Sequence, residues 1–193
     1  MFEKEKFSWT GKPENCRISD DRIEIVTEPE TDLWQRTFYN FSIDNSPLLQ
    51  MKTSENCFSF TVRAEFEGKR QYDQCGIVMH FDADNWLKIS MECDEGIKNL
   101  GSVATNYGYS DWATTAVDAS INVMWYRLTR KGADFSIECS QDGKDFMLMR
   151  VCHMFAAGDE ISFGLYACSP QDSSFIAVFT DMDIKILSEK DFD

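Results

Sequence analysis

Residues 72–93 read Tyr-Asp-Gln-Cys-Gly-Ile-Val-Met-His-Phe-Asp-Ala-Asp-Asn-Trp-Leu-Lys-Ile-Ser-Met-Glu-Cys. Two alternating runs flank a polar turn, which is the pattern of a β-hairpin. Cys75, Ile77, Met79 and Phe81 form an apolar row before the turn, and Leu87, Ile89, Met91 and Cys93 form another after it. Successive strand side chains point to opposite faces, so both rows belong on one buried face. The opposite face then carries Gln74, His80, Trp86, Lys88 and Glu92. That mixture of amide, imidazole, indole, ammonium and carboxylate suits a binding surface. The plainer alternative is a solvated outer face holding a structural Lys–Glu pair.

Working outward, residues 22–26, 57–66, 100–105, 122–129, 134–140, 146–151, 160–167 and 174–181 read as further strands, with 183–187 as an extension. Gln141-Asp-Gly-Lys144 is a strong hairpin turn. Residues 27–36 read as an acidic loop ending in Trp34 and Arg36. Residues 46–51 are a short segment of open type, and 106–111 a polar loop that delivers Trp112. Regularly spaced strands with few helical stretches predict an all-β chain folded as an antiparallel two-sheet β-sandwich. No repeat, low-complexity tract or linker divides it, so residues 1–193 are expected to form one domain.

The chain is acidic, with 33 Asp and Glu against 19 Lys and Arg, a formal charge of −14. Such a surface repels phosphate backbones and anionic lipid, so neither nucleic acid nor membrane is an expected partner. No apolar run approaches the roughly 18 residues of a membrane span, and Met1-Phe-Glu-Lys-Glu-Lys6 lacks a signal core. The seven cysteines are odd in number, several fall inside strands, and no Cys-x-x-Cys occurs. They read as free thiols in a reducing compartment, which predicts a cytoplasmic protein. His80 and His153 lie far apart and show no zinc-ligand spacing. Asp82, Asp84 and Asn85 could offer oxygens to calcium, but a hairpin turn explains them more simply. Phosphate-cradling glycine loops and Gly-x-Ser-x-Gly are absent. Neither a metal nor a cofactor is expected.

Several motifs accumulate in order: Thr31-Asp-Leu-Trp34, Tyr72-Asp-Gln-Cys-Gly-Ile77, Trp86-Leu-Lys-Ile-Ser-Met-Glu92, Ser110-Asp-Trp112, Ser140-Gln-Asp-Gly143 and Gly164-Leu-Tyr-Ala-Cys-Ser-Pro170. Together they resemble the "regulation of enolase" family, a family of domains of unknown function related to the concanavalin A-like lectin and glucanase superfamily. The resemblance runs from about Phe7 to Ile186. Trp125-Tyr-Arg-Leu-Thr-Arg130, followed by Phe135-Ser-Ile-Glu-Cys-Ser-Gln-Asp-Gly143, also resembles the C-terminal sandwich of β-xylosidases. The resemblance implies a concanavalin A-like jelly roll, with any ligand on the concave sheet. It supplies no reaction, because a fold does not dictate function.

Spacing limits which candidates cooperate. Lys88 and Glu92 lie about 13 Å apart along one strand, so their partners come from neighbouring strands. Arg127 shares the parity of Val123 and Trp125 and is a further candidate along the sheet. Trp34, Trp86 and Trp112 adjoin polar turn residues, and aromatic faces beside such groups suit a sugar. The site proposed from the residues is therefore Trp34, Gln74, His80, Trp86, Lys88, Glu92, Asp111, Trp112 and Arg127. The Glu-x-Asp-x-x-Glu strand motif of concanavalin A-like glucanases finds Glu92-Cys-Asp94-Glu-Gly-Ile97 here, so the last carboxylate is missing. Hydrolysis would need another carboxylate from a loop, Asp32 or Asp111. The sequence thus favours a non-catalytic module for a carbohydrate or polar small molecule. A glycosidase or lyase of unusual arrangement, or an intracellular regulatory protein with a protein partner, are the alternatives.

Overall fold

The computed structural model describes residues 3–192. The chain opens with β1 (Ser8–Thr10), β2 (Cys16–Ile18), β3 (Arg22–Val26), β4 (Leu33–Gln35), β5 (Ser42–Asp44) and β6 (Leu48–Thr53). It continues through β7 (Cys57–Glu65), β8 (Gln74–Asp82), β9 (Asn85–Asp94), β10 (Ile97–Asn106) and β11 (Tyr109–Val117). It closes with β12 (Val123–Lys131), β13 (Asp134–Ser140), β14 (Met147–His153), β15 (Ile161–Cys168) and β16 (Ile176–Ile186).

Fourteen of these strands form two antiparallel sheets, the layers of a jelly-roll β-sandwich. The first runs β1-β6-β15-β8-β9-β10-β11, the second β14-β13-β12-β7-β16-β3-β2. The hairpin at 72–93 is β8–β9, near the middle of the first sheet. Its register pairs Ile77 with Ile89 and Cys75 with Met91, so the apolar rows do share a face. That face packs on Phe58, Phe60 and Val62 of β7, Tyr126 and Leu128 of β12, and Phe179 of β16. Phe58 and Phe60 meet Phe163 across the layers at 4.7 and 5.2 Å, adding ring-to-ring contact to the area buried.

Three segments depart from the sequence expectation, and a fourth, left open there, takes a definite form. Of the segment 46–51, residues 48–51 belong to a strand, β6. The stretch 106–111 is no loop. Tyr107 and Gly108, with φ of 52° and 73°, make a two-residue turn with both centres left-handed, the type I′ geometry that matches strand twist, and Trp112 lies inside β11. The segments 174–181 and 183–187 join as one strand, β16, with an irregularity between Thr180 and Asp183. The acidic loop 27–36 contains β4, which pairs with β5 as a separate two-stranded ribbon.

That ribbon decides the character of the site. It lies over the outer face of the first sheet, where Leu33 and Trp34 join Leu48, Val78, Trp86, Val103, Tyr166 and Cys168 in a second apolar cluster. The polar row of β8 and β9 is therefore roofed over. No helix among the described residues is long and apolar enough to cross a membrane.

Candidate functional site

Between the ribbon and the first sheet lies a pocket of about 270 Å³. Its floor is built from parity. Gln74 pairs with Glu92 across β8–β9, Lys88 pairs with Val103 across β9–β10, and Val103 pairs with Trp112 across β10–β11. All of these side chains line the pocket. Its walls come from the ribbon and the segments beside it: Asp32, Trp34, Tyr39, Phe41 and Ile43, with Tyr72, Pro170 and Gln171.

Lys88 is only 4% exposed. Its Nζ donates to Asp32 Oδ1 at 3.0 Å, and the ammonium lies 5.7 and 5.9 Å from the rings of Trp86 and Tyr166. A buried charge demands such pairing. Glu92, equally buried, has a different partner: Trp112 Nε1 donates to its Oε1 at 3.1 Å. Gly101 makes room for this carboxyl, since a Cβ there would sit 2.5 Å from Oε1. Burial pushes the Glu92 carboxyl up to about 7, against the opposing pull of the Lys88 charge and the Trp112 hydrogen bond. Gln74 Nε2 donates to the Tyr72 carbonyl at 3.0 Å, and its Oε1 accepts from the Tyr166 hydroxyl at 3.0 Å. The Trp34 indole N–H is buried without a hydrogen-bond partner among the described residues.

Of the nine residues singled out from the sequence, Trp34, Gln74, Lys88, Glu92 and Trp112 line the pocket. His80 sits beside it: its Nε2 lies 3.0 Å from Asp44 Oδ1 and ties the ribbon to the hairpin. Trp86 is fully buried beneath the ribbon, with Nε1 donating to the Ala83 carbonyl at 3.3 Å, so it offers no stacking face. Asp111 alternates with Trp112 and points to the other side of β11, where Arg150 Nη2 donates to it at 2.8 Å. Arg127 lies on β12 of the second sheet, held by Glu138 through bonds of 2.7 and 2.8 Å. Both belong to other faces of the sandwich, because pairing put β12 in the opposite layer and alternation turned Asp111 away. Nor do Lys88 and Glu92 find charged partners on adjacent strands, as spacing suggested. Asp32 reaches Lys88 from the chain just before β4. Tyr39, Phe41 and Tyr72 escaped the sequence reading. The dense aromatic run Phe38-Tyr-Asn-Phe41 beside Trp34 was the available signal.

Asp82 caps the β8–β9 turn, accepting from Asp84 N at 2.8 Å and from Asn85 Nδ2 at 2.9 Å. Among the described residues no group of three or more His, Cys, Asp or Glu side chains is placed to hold a metal ion.

Residues 9–186 match the family described as "Protein of unknown function (DUF1349)". "Regulation of enolase protein 1" of Saccharomyces cerevisiae is 30% identical over 177 residues, which cover 92% of this chain and 88% of that protein. A solved structure of a functionally unknown protein from Saccharomyces cerevisiae superimposes with a TM-score of 0.90 at 29% identity, covering 97% of this chain and all of that one. More distantly, a xylan β-1,4-xylosidase from Bacillus halodurans matches 88% of this chain with 34% of its own, at a TM-score of 0.69 and 10% identity. That likeness concerns the fold alone.

Proposed function

The chain belongs to the DUF1349 family of proteins of unknown function, and from that premise we propose that it binds a carbohydrate or other polar small molecule without catalysis. The carrying observation is the composition of the pocket: aromatic walls from Trp34, Tyr39, Phe41, Tyr72 and Trp112 over a floor offering Gln74, Lys88 and Glu92. Ligand sites are mostly apolar with a few placed polar groups, and drug-sized ligands fill about 300–1,000 Å³. At about 270 Å³ this pocket suits one small ring and not an extended chain.

One observation favours a second reading. A buried carboxyl titrating at about 7 is poised for acid–base work. Against hydrolysis, the second carboxylate lining the pocket, Asp32, is already engaged by Lys88. The regulatory word in the yeast relative's name suits a small-molecule sensor equally well. Seven free thiols support a reducing, cytoplasmic setting.

A glycan array followed by titration calorimetry with a panel of monosaccharides tests the binding reading. Saturable binding that is lost in Trp112→Ala supports it. Turnover of any hit, abolished by Glu92→Gln, would replace it with the enzymatic reading, and a blank panel would remove the sugar.

A further inference from the structure

The angles between the wall residues and the distribution of charge narrow the ligand. Trp34 meets Trp112 at 6.2 Å and 81°, and Tyr39 at 5.5 Å and 63°. Trp112 meets Tyr72 at 6.2 Å and 79°. Rings set at steep angles around one space enclose a rounded group; they do not form a single platform for a flat one. An aromatic face turned to a pocket attracts a cation through its quadrupole, and five aromatic side chains line this one.

The charges agree with the rings. Lys88, the cationic residue lining the pocket, already faces Asp32 at 3.0 Å. Glu92 has no such partner; its one side-chain hydrogen bond among the described residues is the neutral one from Trp112. A carboxyl buried this way takes either a proton or a cation. With Lys88 balanced by Asp32, an ionised Glu92 leaves the pocket net negative.

We propose that the pocket selects a small organic ammonium ion, held among Trp34, Tyr39, Tyr72 and Trp112 with Glu92 as its counter-charge. This rests on the reading that the pocket binds a polar small molecule, and it assigns that molecule a positive charge. An alkylated nitrogen suits the rings, since its charge spreads over surrounding methyl groups that also seek apolar contact.

The test is a tryptophan-fluorescence titration with choline and with its uncharged carbon isostere, dimethylbutanol. Choline binds saturably and roughly tenfold or more tightly than the isostere if the rings and Glu92 read charge. Glu92→Gln, shown folded by its melting curve, weakens choline by roughly tenfold, the effect of losing one charged contact. A trimethyl-lysine peptide titrated in parallel separates a free ligand from a protein-borne one; binding of either supports the cation. Equal binding of the isostere, or choline affinity unchanged in Glu92→Gln, overturns the proposal. If a neutral sugar binds while choline and the peptide do not, the cation falls and the pocket reading stands. If none of them binds, both fall.

Discussion

Lys88 and Glu92 occupy the same face of one strand and are equally hidden, yet they are stabilised differently. Lys88 has a charged partner 56 positions earlier in the chain; Glu92 has an indole. An open face would make Lys88→Ala nearly silent. The roofed site makes it costly, because Asp32 is left beneath the ribbon without its ammonium. Breaking a fully buried pair costs about 3–5 kcal/mol. Asp32 keeps some solvent, so urea unfolding of Lys88→Ala should show a loss of about 2–3 kcal/mol. Adding Asp32→Ala should restore part of it. For Glu92 the sign is opposite. Its folded carboxyl is raised to about 7, so the native state holds the proton more tightly than the unfolded chain. That contribution is complete below the unfolded value near 4.3 and is lost as pH rises through about 7. Glu92→Gln should therefore flatten the stability profile between those values. Well above pH 7 the variant should be more stable than the parent by up to about 3–4 kcal/mol in denaturant titrations.

The ribbon β4–β5 carries backbone strain in its connecting turn. Arg36, Phe38 and Asn40, within its connecting turn, have φ of 55°, 63° and 57°. Left-handed backbone suits Asn but costs a bulky residue about 1–2 kcal/mol, and Phe38 is 87% exposed with little packing to offset it. Phe38→Asn should raise stability by about 0.5–1 kcal/mol, read as a shift in the urea midpoint at constant slope. The ribbon holds its place through Arg36, whose Nη1 donates to the Gly108 carbonyl at 2.9 Å, and through the His80–Asp44 contact. The hairpin β8–β9 is different in kind, being fixed by its buried row. Ile89→Ala should cost about 2–5 kcal/mol through lost burial and the cavity left behind; a loss under about 1 kcal/mol would contradict the layer assignment.

Across the whole molecule four of the seven thiols, Cys75, Cys93, Cys139 and Cys168, are buried, and Cys16, Cys57 and Cys152 are half-buried. All seven cysteines are free, and burial pushes the Cys75, Cys152 and Cys168 thiols up, keeping them protonated and slow to react. Titration of native protein with an aromatic disulfide should report few fast thiols. In denaturant without reductant it should report close to seven. A count near one in denaturant would mean disulfides and would remove the reducing-compartment proposal.

Period-two alternation was enough to place the hairpin and its buried row, because strand geometry puts side chains two apart on one face whatever surrounds them. Gln74, Lys88 and Glu92 were legible as neighbours for the same reason. The Asp-Gly turn after β13 was legible too, because its backbone demands are local. The sequence could not show that this polar row is covered. The covering strands β4 and β5 have three residues each, too few to display a period. Nor could it show that Asp32 meets Lys88, that Trp112 meets Glu92, or that Arg127 lies in the opposite layer. Those contacts follow from which strands pair across long stretches of chain. Alternation reports which face a residue takes on its own strand, and only the assembled sheets decide what stands opposite that face.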